Sequence, residues 1–309
     1  MLFRSIGICG TDLHAFRGRQ PFFTYPRILG HELGVEIAEI GPNALGLSVG
    51  DRCAVEPYLN CGQCIACRSG KPNCCVSLRV LGVHTDGGMR EWLVVPIKKL
   101  HKSAALSLDQ LALIETLGIG AHAVDRAGVE AGETVLVIGA GPIGLSVIQF
   151  ARHAGARVLA LDINEDRLEF CRRHLVVAHA LSASSDPLEP LRDLTGGDLP
   201  TVVFDATGNP QSMTRAFDYV AHGGRLVFVG LFQGEVTFHD PSFHRRELTL
   251  LSSRNSTPDT FHRIIHLVEA GQIDTTAWIS QRAPFAEMIE RFPAWLDPGS
   301  LVIKAVVEL

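Results

Sequence analysis

The clearest pattern of apolar and polar positions along the chain lies between residues 134 and 162. Thr134–Ile138 is a short run of mostly β-branched apolar residues, which is typical of a buried parallel strand. Ile143–Ala154 is apolar on nearly every side and predicts a buried helix, and Arg157–Leu161 repeats the strand pattern. The order of strand, turn, helix and strand predicts a parallel sheet with a crossover helix.

This alternation of strands and helices continues through the second half of the chain. Further strands are predicted at Val177–Ala180, Thr201–Ala206, Arg225–Leu231 and Leu248–Ser252. Six strands with intervening helices predict an α/β fold with a doubly wound parallel sheet of the Rossmann type. A predicted helix over Thr260–Ala270 leads to a last strand, Leu301–Val307, which we expect to return to the sheet of the first domain.

The first 120 residues show a different pattern, with short alternating runs, many glycines and little helical periodicity. Val35–Ile40, Arg52–Val55 and Glu91–Val95 are examples, and they predict a β-rich, irregular domain. The first long helical pattern begins with Asp109–Leu117. We therefore expect a β-rich domain over residues 1–116 and 257–309 and a nucleotide-binding domain over residues 117–256.

Composition narrows the class of protein further. The chain has 309 residues, enough for about two domains with cores of their own. Its net charge of −5 argues against a nucleic-acid surface. It has no apolar run of about 18 residues or more, so no membrane span is predicted. The amino terminus lacks the pattern of a signal peptide, so we expect a cytoplasmic protein.

Three glycines follow the strand at residues 134–138. Gly139, Gly141 and Gly144 form G-x-G-x-x-G, in which the glycines permit a tight turn, a close approach of pyrophosphate and close helix packing. Asp162 ends the next strand, where a carboxylate accepts hydrogen bonds from adenosine ribose hydroxyls and repels a 2′-phosphate. The pattern predicts a site for NAD, although Arg167 nearby leaves NADP open. The alternative is a turn that merely packs.

Four cysteines lie within one short segment: Cys61, Cys64, Cys67 and Cys75. Four thiolates this close in sequence can surround one zinc ion tetrahedrally, which predicts a structural site without an open position. Cys74 is an alternative fourth ligand. The clustering argues against a disulfide framework.

A second potential metal site is dispersed along the chain. Cys9, His31 and Glu32 are all acceptable zinc ligands, although a histidine beside a glutamate is more often a surface pair. Glu115 stands in an otherwise apolar run, where a buried carboxylate needs a partner such as a metal ion. The alternative is a glutamate on a helix surface.

Five motifs occur in an order that resembles the zinc-dependent medium-chain alcohol dehydrogenases: GICGTDLH, ILGHELGVEIAEIG, VGDRCAVEP, the four-cysteine loop and VLVIGAGPIGL. The resemblance covers essentially the whole chain and is greatest to the branch of polyol (sorbitol), threonine and sugar-acid dehydrogenases. It implies a β-rich GroES-like catalytic domain beside a Rossmann domain. Members of the family usually carry a first strand and hairpin before G-I-C-G, whereas eight residues precede Cys9 here. We expect either a start that was placed late or a first domain that lacks an edge strand.

The resemblance also implies roles for individual residues. Cys9, His31 and Glu32 match the ligands of a catalytic zinc, Glu115 matches a position that contacts this zinc or its water, and Cys75 matches the fourth ligand of a structural zinc. Thr11 and His14 match a relay for the alcohol proton, although an exposed loop histidine is an equal reading of His14. The residues expected to contact the dinucleotide are Gly139, Gly141, Pro142, Ile143, Gly144, Asp162, Arg167, Thr207, Gly208, Leu231, Ser253 and Arg254.

The expected function is therefore a zinc-dependent transfer of hydride from a secondary alcohol, such as a polyol or sugar acid, to NAD. The alternatives are a non-catalytic NAD-binding relative and a reductase of the same fold that uses NADP or works without zinc. The expected partner is a small-molecule substrate, with no nucleic acid or membrane, and the resemblance implies a homodimer or homotetramer.

Overall fold

The computed structural model describes residues 2–19, 23–297, 300 and 302–308. It divides into two compact units, residues 1–118 with 255–309, and residues 119–254. The strands are β1 Leu2–Ile8, β2 Glu32–Glu36, β3 Arg52–Val55, β4 Tyr58–Leu59, β5 Arg79–Val80, β6 Leu100–Lys102, β7 Thr134–Ile138, β8 Arg157–Asp162, β9 His179–Ser182, β10 Val202–Asp205, β11 Arg225–Phe228, β12 Thr249–Ser252, β13 Ile279–Pro284 and β14 Lys304–Glu308.

Ten α-helices join these strands in the described part of the chain. They are α1 Gly10–Phe16, α2 Ile65–Arg68, α3 Leu108–Ala127, α4 Pro142–His153, α5 Glu165–His174, α6 Leu188–Leu194, α7 Pro210–Arg215, α8 Asp240–Arg245, α9 Pro258–Glu269 and α10 Met288–Trp295. None of these helices is both long and apolar enough to cross a membrane.

The unit of residues 119–254 is built on a six-stranded parallel sheet in the order β12-β11-β10-β7-β8-β9. Its central strands are apolar on both faces, and Leu136, Leu159, Val203 and Leu226 are buried in one core cluster. Continuous apolar strands of this kind are stable only where helices cover both faces of the sheet. The predicted doubly wound parallel sheet is confirmed.

The other unit contains a six-stranded sheet in the order β13-β14-β1-β2-β3-β6. Strand β1 lies in its interior and pairs antiparallel with β14 on one side and β2 on the other. Ile6, Leu33, Val35 and Val307 pack into the core of this sheet. The chain's last described strand therefore lies beside its first, and Leu301 of the predicted strand lies outside the described residues.

Several predicted elements are displaced in the structure, and one is absent. Glu91–Val95 was predicted as a strand, but it forms none among the described residues, and Val94 is 93% exposed there. Alternation shows which side chains can share a face, but it does not supply a partner strand. The strand predicted at Val35–Ile40 is displaced to Glu32–Glu36, and the one predicted at Val177–Ala180 is displaced to His179–Ser182.

Candidate metal centres and cofactor site

The first candidate centre lies where β1 ends and β2 begins. Cys9 follows β1 as the N-cap of α1, and His31 and Glu32 stand at the start of β2. The pairing of Gly7 with Glu32 brings the two strand ends together. The donor atoms of Cys9, His31 and Glu32 lie within 4.8 Å of one another. The structure thus places three expected zinc ligands around a common point.

Asp12 joins the two backbone segments that carry these donors. Its carboxylate accepts hydrogen bonds from the backbone N–H of Cys9 at 3.0 Å and of Gly30 at 3.2 Å. Oδ1 of Asp12 also lies 3.8 Å from Nδ1 of His31. The side chain is fully buried, so these contacts are shielded from water. Asp12 therefore fixes the positions of both Cys9 and His31.

The charges around His31 favour a bound cation. Burial alone would lower the pKa of His31, but the negative groups around it, Asp12 foremost, raise this pKa well above its usual value. For the two nearby acids, Asp12 and Glu115, burial raises the pKa. Nδ1 of His31 has no hydrogen-bond partner among the described residues. A divalent ion at this point would neutralise surplus negative charge, and a thiolate, an imidazole and a carboxylate are ligands that suit zinc.

The two glutamates near this centre have different partners. Nζ of Lys304 donates to both carboxylate oxygens of Glu32 at 2.7 Å. Burial raises the pKa of Glu32, but Lys304 and His31 together lower it below its usual value. Glu115, on α3, instead accepts a short hydrogen bond from the hydroxyl of Tyr58. Glu115 is buried but is not a member of the group formed by Cys9, His31 and Glu32. Its place in a metal shell stays a prediction.

Thr11 and His14 both lie on α1, directly after Cys9. They are three residues apart, so their side chains share one face of the helix. Thr11 is half-buried and His14 is exposed. This placement is compatible with a path for a proton from the centre to solvent.

The second candidate centre is the loop of Cys61, Cys64, Cys67 and Cys75, whose sulfur atoms lie within 4.8 Å of one another. Sγ of Cys64 and Sγ of Cys67 are 3.5 Å apart. Tetrahedral zinc with Zn–S bonds of about 2.3 Å requires sulfur separations of about 3.8 Å. The backbone N–H of Cys67, foremost, lowers the pKa of Cys64 to about 6, which favours the thiolate. The loop therefore fits a zinc ion.

The structure distinguishes between the two candidates for the fourth ligand. Cys75 is buried and belongs to the group, and its sulfur accepts the backbone N–H of Cys61 at 3.3 Å. Cys74 is exposed and lies outside the group. All eight cysteines are free of disulfide bonds.

The glycine-rich turn joins β7 to α4 in the parallel-sheet unit. Gly139 has a φ of +95°, which residues with a side chain rarely adopt. A Cβ atom at Gly144 would overlap the carbonyl oxygen of Gly139. Gly141 is the N-cap of α4, and Pro142 and Ile143 form its first turn. The exposed N–H groups of such a helix start form an anion site suited to pyrophosphate.

Asp162 and Arg167 flank this turn. Asp162 is buried, and its carboxylate accepts the backbone N–H of Ala140 at 2.6 Å and of Asn164 at 2.8 Å. It therefore braces the glycine-rich turn, while each oxygen keeps acceptor capacity for a ligand hydroxyl. A Cβ atom at Gly141 would lie 3.6 Å from Nη1 of Arg167, which places this guanidinium beside the turn.

The remaining predicted cofactor contacts follow three further strands of the same sheet. Because the strands are parallel, the segments after β10, β11 and β12 lie at one edge with the glycine-rich turn. Asp205 holds the first of these segments by accepting the backbone N–H of Thr207 at 2.9 Å. A Cβ atom at Gly208 would lie 2.8 Å from the carbonyl oxygen of Leu231. The remaining members at this edge are Ser253 and Arg254.

Sequence reasoning did not identify Asp12, Tyr58, Asp205 or Lys304 as functional residues. Lys304 carried a usable signal, because it stands alone in the apolar run VIKAVV and a buried charge needs a partner. The same argument applies to Glu115, which also stands in an apolar run. Asp12 and Tyr58 carried no such signal, because neither stands alone in an apolar run.

Known proteins match this chain along most of its length. A family model described as "Alcohol dehydrogenase GroES-like domain" matches residues 2–105, and one described as "Zinc-binding dehydrogenase" matches residues 142–270. The L-galactonate-5-dehydrogenase of Escherichia coli K12 is 43% identical over 304 residues, covering 98% of this chain and 89% of the relative. The resemblance inferred from the motifs is confirmed.

Two solved structures share the fold along nearly the whole chain. An alcohol dehydrogenase from Escherichia coli CFT073, in complex with NADH, has a TM-score of 0.92 and 31% identity and covers 99% of this chain and 90% of its own. A putative zinc-binding dehydrogenase from Sinorhizobium meliloti 1021, bound to NADP, has a TM-score of 0.92 and 29% identity, with coverage of 100% and 91%.

The four-cysteine loop yields the first testable prediction. Cys75→Ser should remove one zinc ion per chain, because oxygen is a poorer ligand than thiolate and the shell would be incomplete. Cys74→Ser should keep the full zinc content, since Cys74 lies outside the group. Elemental analysis of the purified variants measures both. Zinc loss in Cys74→Ser with retention in Cys75→Ser would reverse the assignment.

Proposed function

Because this chain belongs to the zinc-containing medium-chain alcohol dehydrogenase family, we propose that it oxidises a secondary hydroxyl group of a sugar acid or polyol and transfers the hydride to NAD. The broader activity follows from the family, whose enzymes act on CH–OH donors with NAD or NADP. The choice of substrate and of cofactor is the part that we propose.

The observation that supports this proposal most directly is the meeting of Cys9, His31 and Glu32. A thiolate, an imidazole and a carboxylate leave one position of a tetrahedral zinc for water or substrate. The four-cysteine loop, by contrast, supplies a complete shell. We infer one catalytic zinc at the first centre and one structural zinc at the second.

The chain's own residues have distinct tasks in this proposed reaction. When bound, zinc polarises the substrate oxygen and lowers the pKa of the hydroxyl, and the nicotinamide accepts the hydride. In this proposal Thr11 accepts the proton of the substrate hydroxyl while it passes its own hydroxyl proton outward, and His14 releases a proton to solvent. Tyr58 donates a hydrogen bond from its hydroxyl to Glu115 and so restrains the orientation of this carboxylate.

A sugar acid is the substrate class that the relatives favour. The Escherichia coli K12 relative is named as an L-galactonate-5-dehydrogenase, and a further relative from Pseudoalteromonas atlantica is named as a 2-dehydro-3-deoxy-L-galactonate 5-dehydrogenase, at 32% identity. Both names describe oxidation at carbon five of a sugar acid. Arg254 is exposed at the carboxyl edge of the parallel sheet and is our candidate contact to substrate carboxylate or cofactor.

NAD is the proposed cofactor. A carboxylate at the end of β8 favours ribose hydroxyls and repels a 2′-phosphate. Asp162 occupies this position, and its two hydrogen bonds to backbone N–H groups hold the charge in place. Arg167 beside the turn would attract phosphate, so the preference rests on the balance of these two side chains.

We also propose a homodimer or homotetramer. Strand β12 is an edge strand of the parallel sheet, and most of its residues are exposed. An unpaired edge of this kind can extend the sheet into a second subunit.

The proposed function is tested by a panel of L-galactonate, other sugar acids, polyols and threonine, each with NAD and with NADP. We expect the highest kcat/KM for a sugar acid with NAD, measured from the absorbance of the reduced nicotinamide. A higher kcat/KM for polyols or threonine would contradict the proposed substrate class while leaving the dehydrogenase activity in place.

The cofactor preference depends on the charge of Asp162. Asp162→Asn should raise the ratio of kcat/KM with NADP to that with NAD by about tenfold or more, because 1.4 kcal/mol of lost repulsion corresponds to a factor of ten. Asp166→Asn is the control, since Asp166 is an exposed acid on the following helix. An unchanged ratio in Asp162→Asn would show that this carboxylate does not select the cofactor.

Cys9 links the proposed catalytic zinc to turnover. Cys9→Ala should lower the zinc content from two ions to one and reduce kcat by about a thousandfold or more, because Lewis-acid stabilisation contributes several kcal/mol. NADH binding, followed by fluorescence titration, should be unchanged, since the glycine-rich turn belongs to the other unit. Normal turnover by Cys9→Ala would refute the ligand assignment.

A further inference from the structure

Lys304 forms a buried ion pair with one of the proposed zinc ligands. It lies on β14 and is only 2% exposed, and Glu32 on β2 is 1% exposed. Nζ of Lys304 lies 2.7 Å from each carboxylate oxygen of Glu32, and a longer contact of 3.4 Å reaches the carbonyl oxygen of Ile8. Because both oxygens bind one cation, the carboxylate is held in a single orientation.

The ion pair crosses an intervening strand. In the sheet, β1 lies between β2 and β14, and Gly7 of β1 pairs with Glu32 on one side and Val306 on the other. Lys304 is two residues before Val306, so its side chain emerges on the same face of the sheet. A Cβ atom at Gly7 would overlap Oε2 of Glu32. The missing side chain of Gly7 therefore leaves the space through which Glu32 reaches Lys304.

Glu32 is at the same time part of the donor group. One of its oxygens lies within 4.8 Å of the donor atoms of Cys9 and His31 while both oxygens contact Lys304. Partners of this kind, which hold a metal ligand without touching the metal, commonly set both its orientation and the affinity of the site. Lys304 has this relation to Glu32.

We propose that Lys304, acting across the gap at Gly7, is the positioning residue that holds Glu32 in place as a ligand of the catalytic zinc. The inference rests on the proposed function, because it presupposes zinc at this centre. It assigns to β14 a direct part in building the centre, although β14 supplies no ligand. Lys304 is thus a positioning residue and not a catalytic one, since it acts through Glu32.

A second ion pair in the same unit provides a matched comparison. Lys99 and Glu56 are 2% and 1% exposed and also form a close ion pair. Nε2 of His101 also lies 3.4 Å from Glu56. Among the described residues, none of these three belongs to a group that could hold a metal ion. Loss of either lysine removes the ammonium group that is paired with a buried carboxylate, which destabilises the fold. Only loss of Lys304 should alter zinc binding.

The test compares Lys304→Met, Lys304→Arg and Lys99→Met in the zinc-loaded protein. Zinc affinity is measured by competition with a chelator, and elemental analysis counts the ions per chain. Lys304→Met should weaken one of the two zinc sites by about 10- to 100-fold, as is usual for loss of such a partner. Lys304→Arg should keep near-normal affinity, because a guanidinium can still bind both oxygens of a carboxylate. Lys99→Met should leave both sites unchanged.

Gly7→Ala tests the same idea without removing a charge. Its new methyl group should displace Glu32 and weaken the same zinc site, whereas Gly10→Ala, at a position with open space, should not. Gly7→Ala carries the test if Lys304→Met fails to fold.

Each result has a defined meaning. Unchanged zinc binding in Lys304→Met would overturn the proposal, because Lys304 would then not be needed to hold Glu32. Tighter binding would also overturn it, because Lys304 would then act only by repelling the zinc cation. Equal weakening in Lys99→Met would also overturn it, as an effect of general instability. Only one zinc ion in the unmodified protein would instead refute the proposed catalytic centre itself.

Discussion

The concentration of buried negative charge around one thiol and one imidazole is the constraint on which the β-rich unit depends. An unpaired carboxylate in an apolar interior is costly, so each buried acid requires a partner in the folded chain. Asp12 is satisfied by backbone N–H groups, Glu32 by Lys304, and Glu115 by Tyr58. Lys304 and Tyr58 are far in sequence from the acids that they contact, so the centre forms only when the whole unit has folded.

The nucleotide-binding unit meets a different requirement, which is the close approach of backbone to a ligand. Gly144 allows α4 to start directly against the turn at Gly139. Asp162 fixes that turn through a backbone hydrogen bond, so one carboxylate both supports the turn and stands where the ribose is expected. Asp205 plays a similar supporting part for Thr207. Rigid supports of this kind keep binding groups in position before the ligand arrives.

The sequence predicts best those features that depend on local pattern. Thr134–Ile138 and Arg52–Val55 are strands with the predicted bounds. The first consists mostly of β-branched apolar residues, which suit a buried strand. Spacing also identified the four-cysteine loop, but it left Cys74 and Cys75 open. The strand predicted at Glu91–Val95 was wrong, because a strand forms only where a partner strand is available to pair with it. The contact between Lys304 and Glu32 depends on sheet order, which local pattern does not determine.

The placement of β14 beside β1 has a consequence for the order in which the protein acquires its structure during synthesis. Glu32 and Lys304 are 272 residues apart, and a ribosome adding roughly 5–20 residues per second needs about 15–55 s to cover that distance. All strands of the parallel sheet are made within this interval. The nascent chain can thus complete its nucleotide-binding unit first, while Glu32 has no counter-ion until β14 has been made.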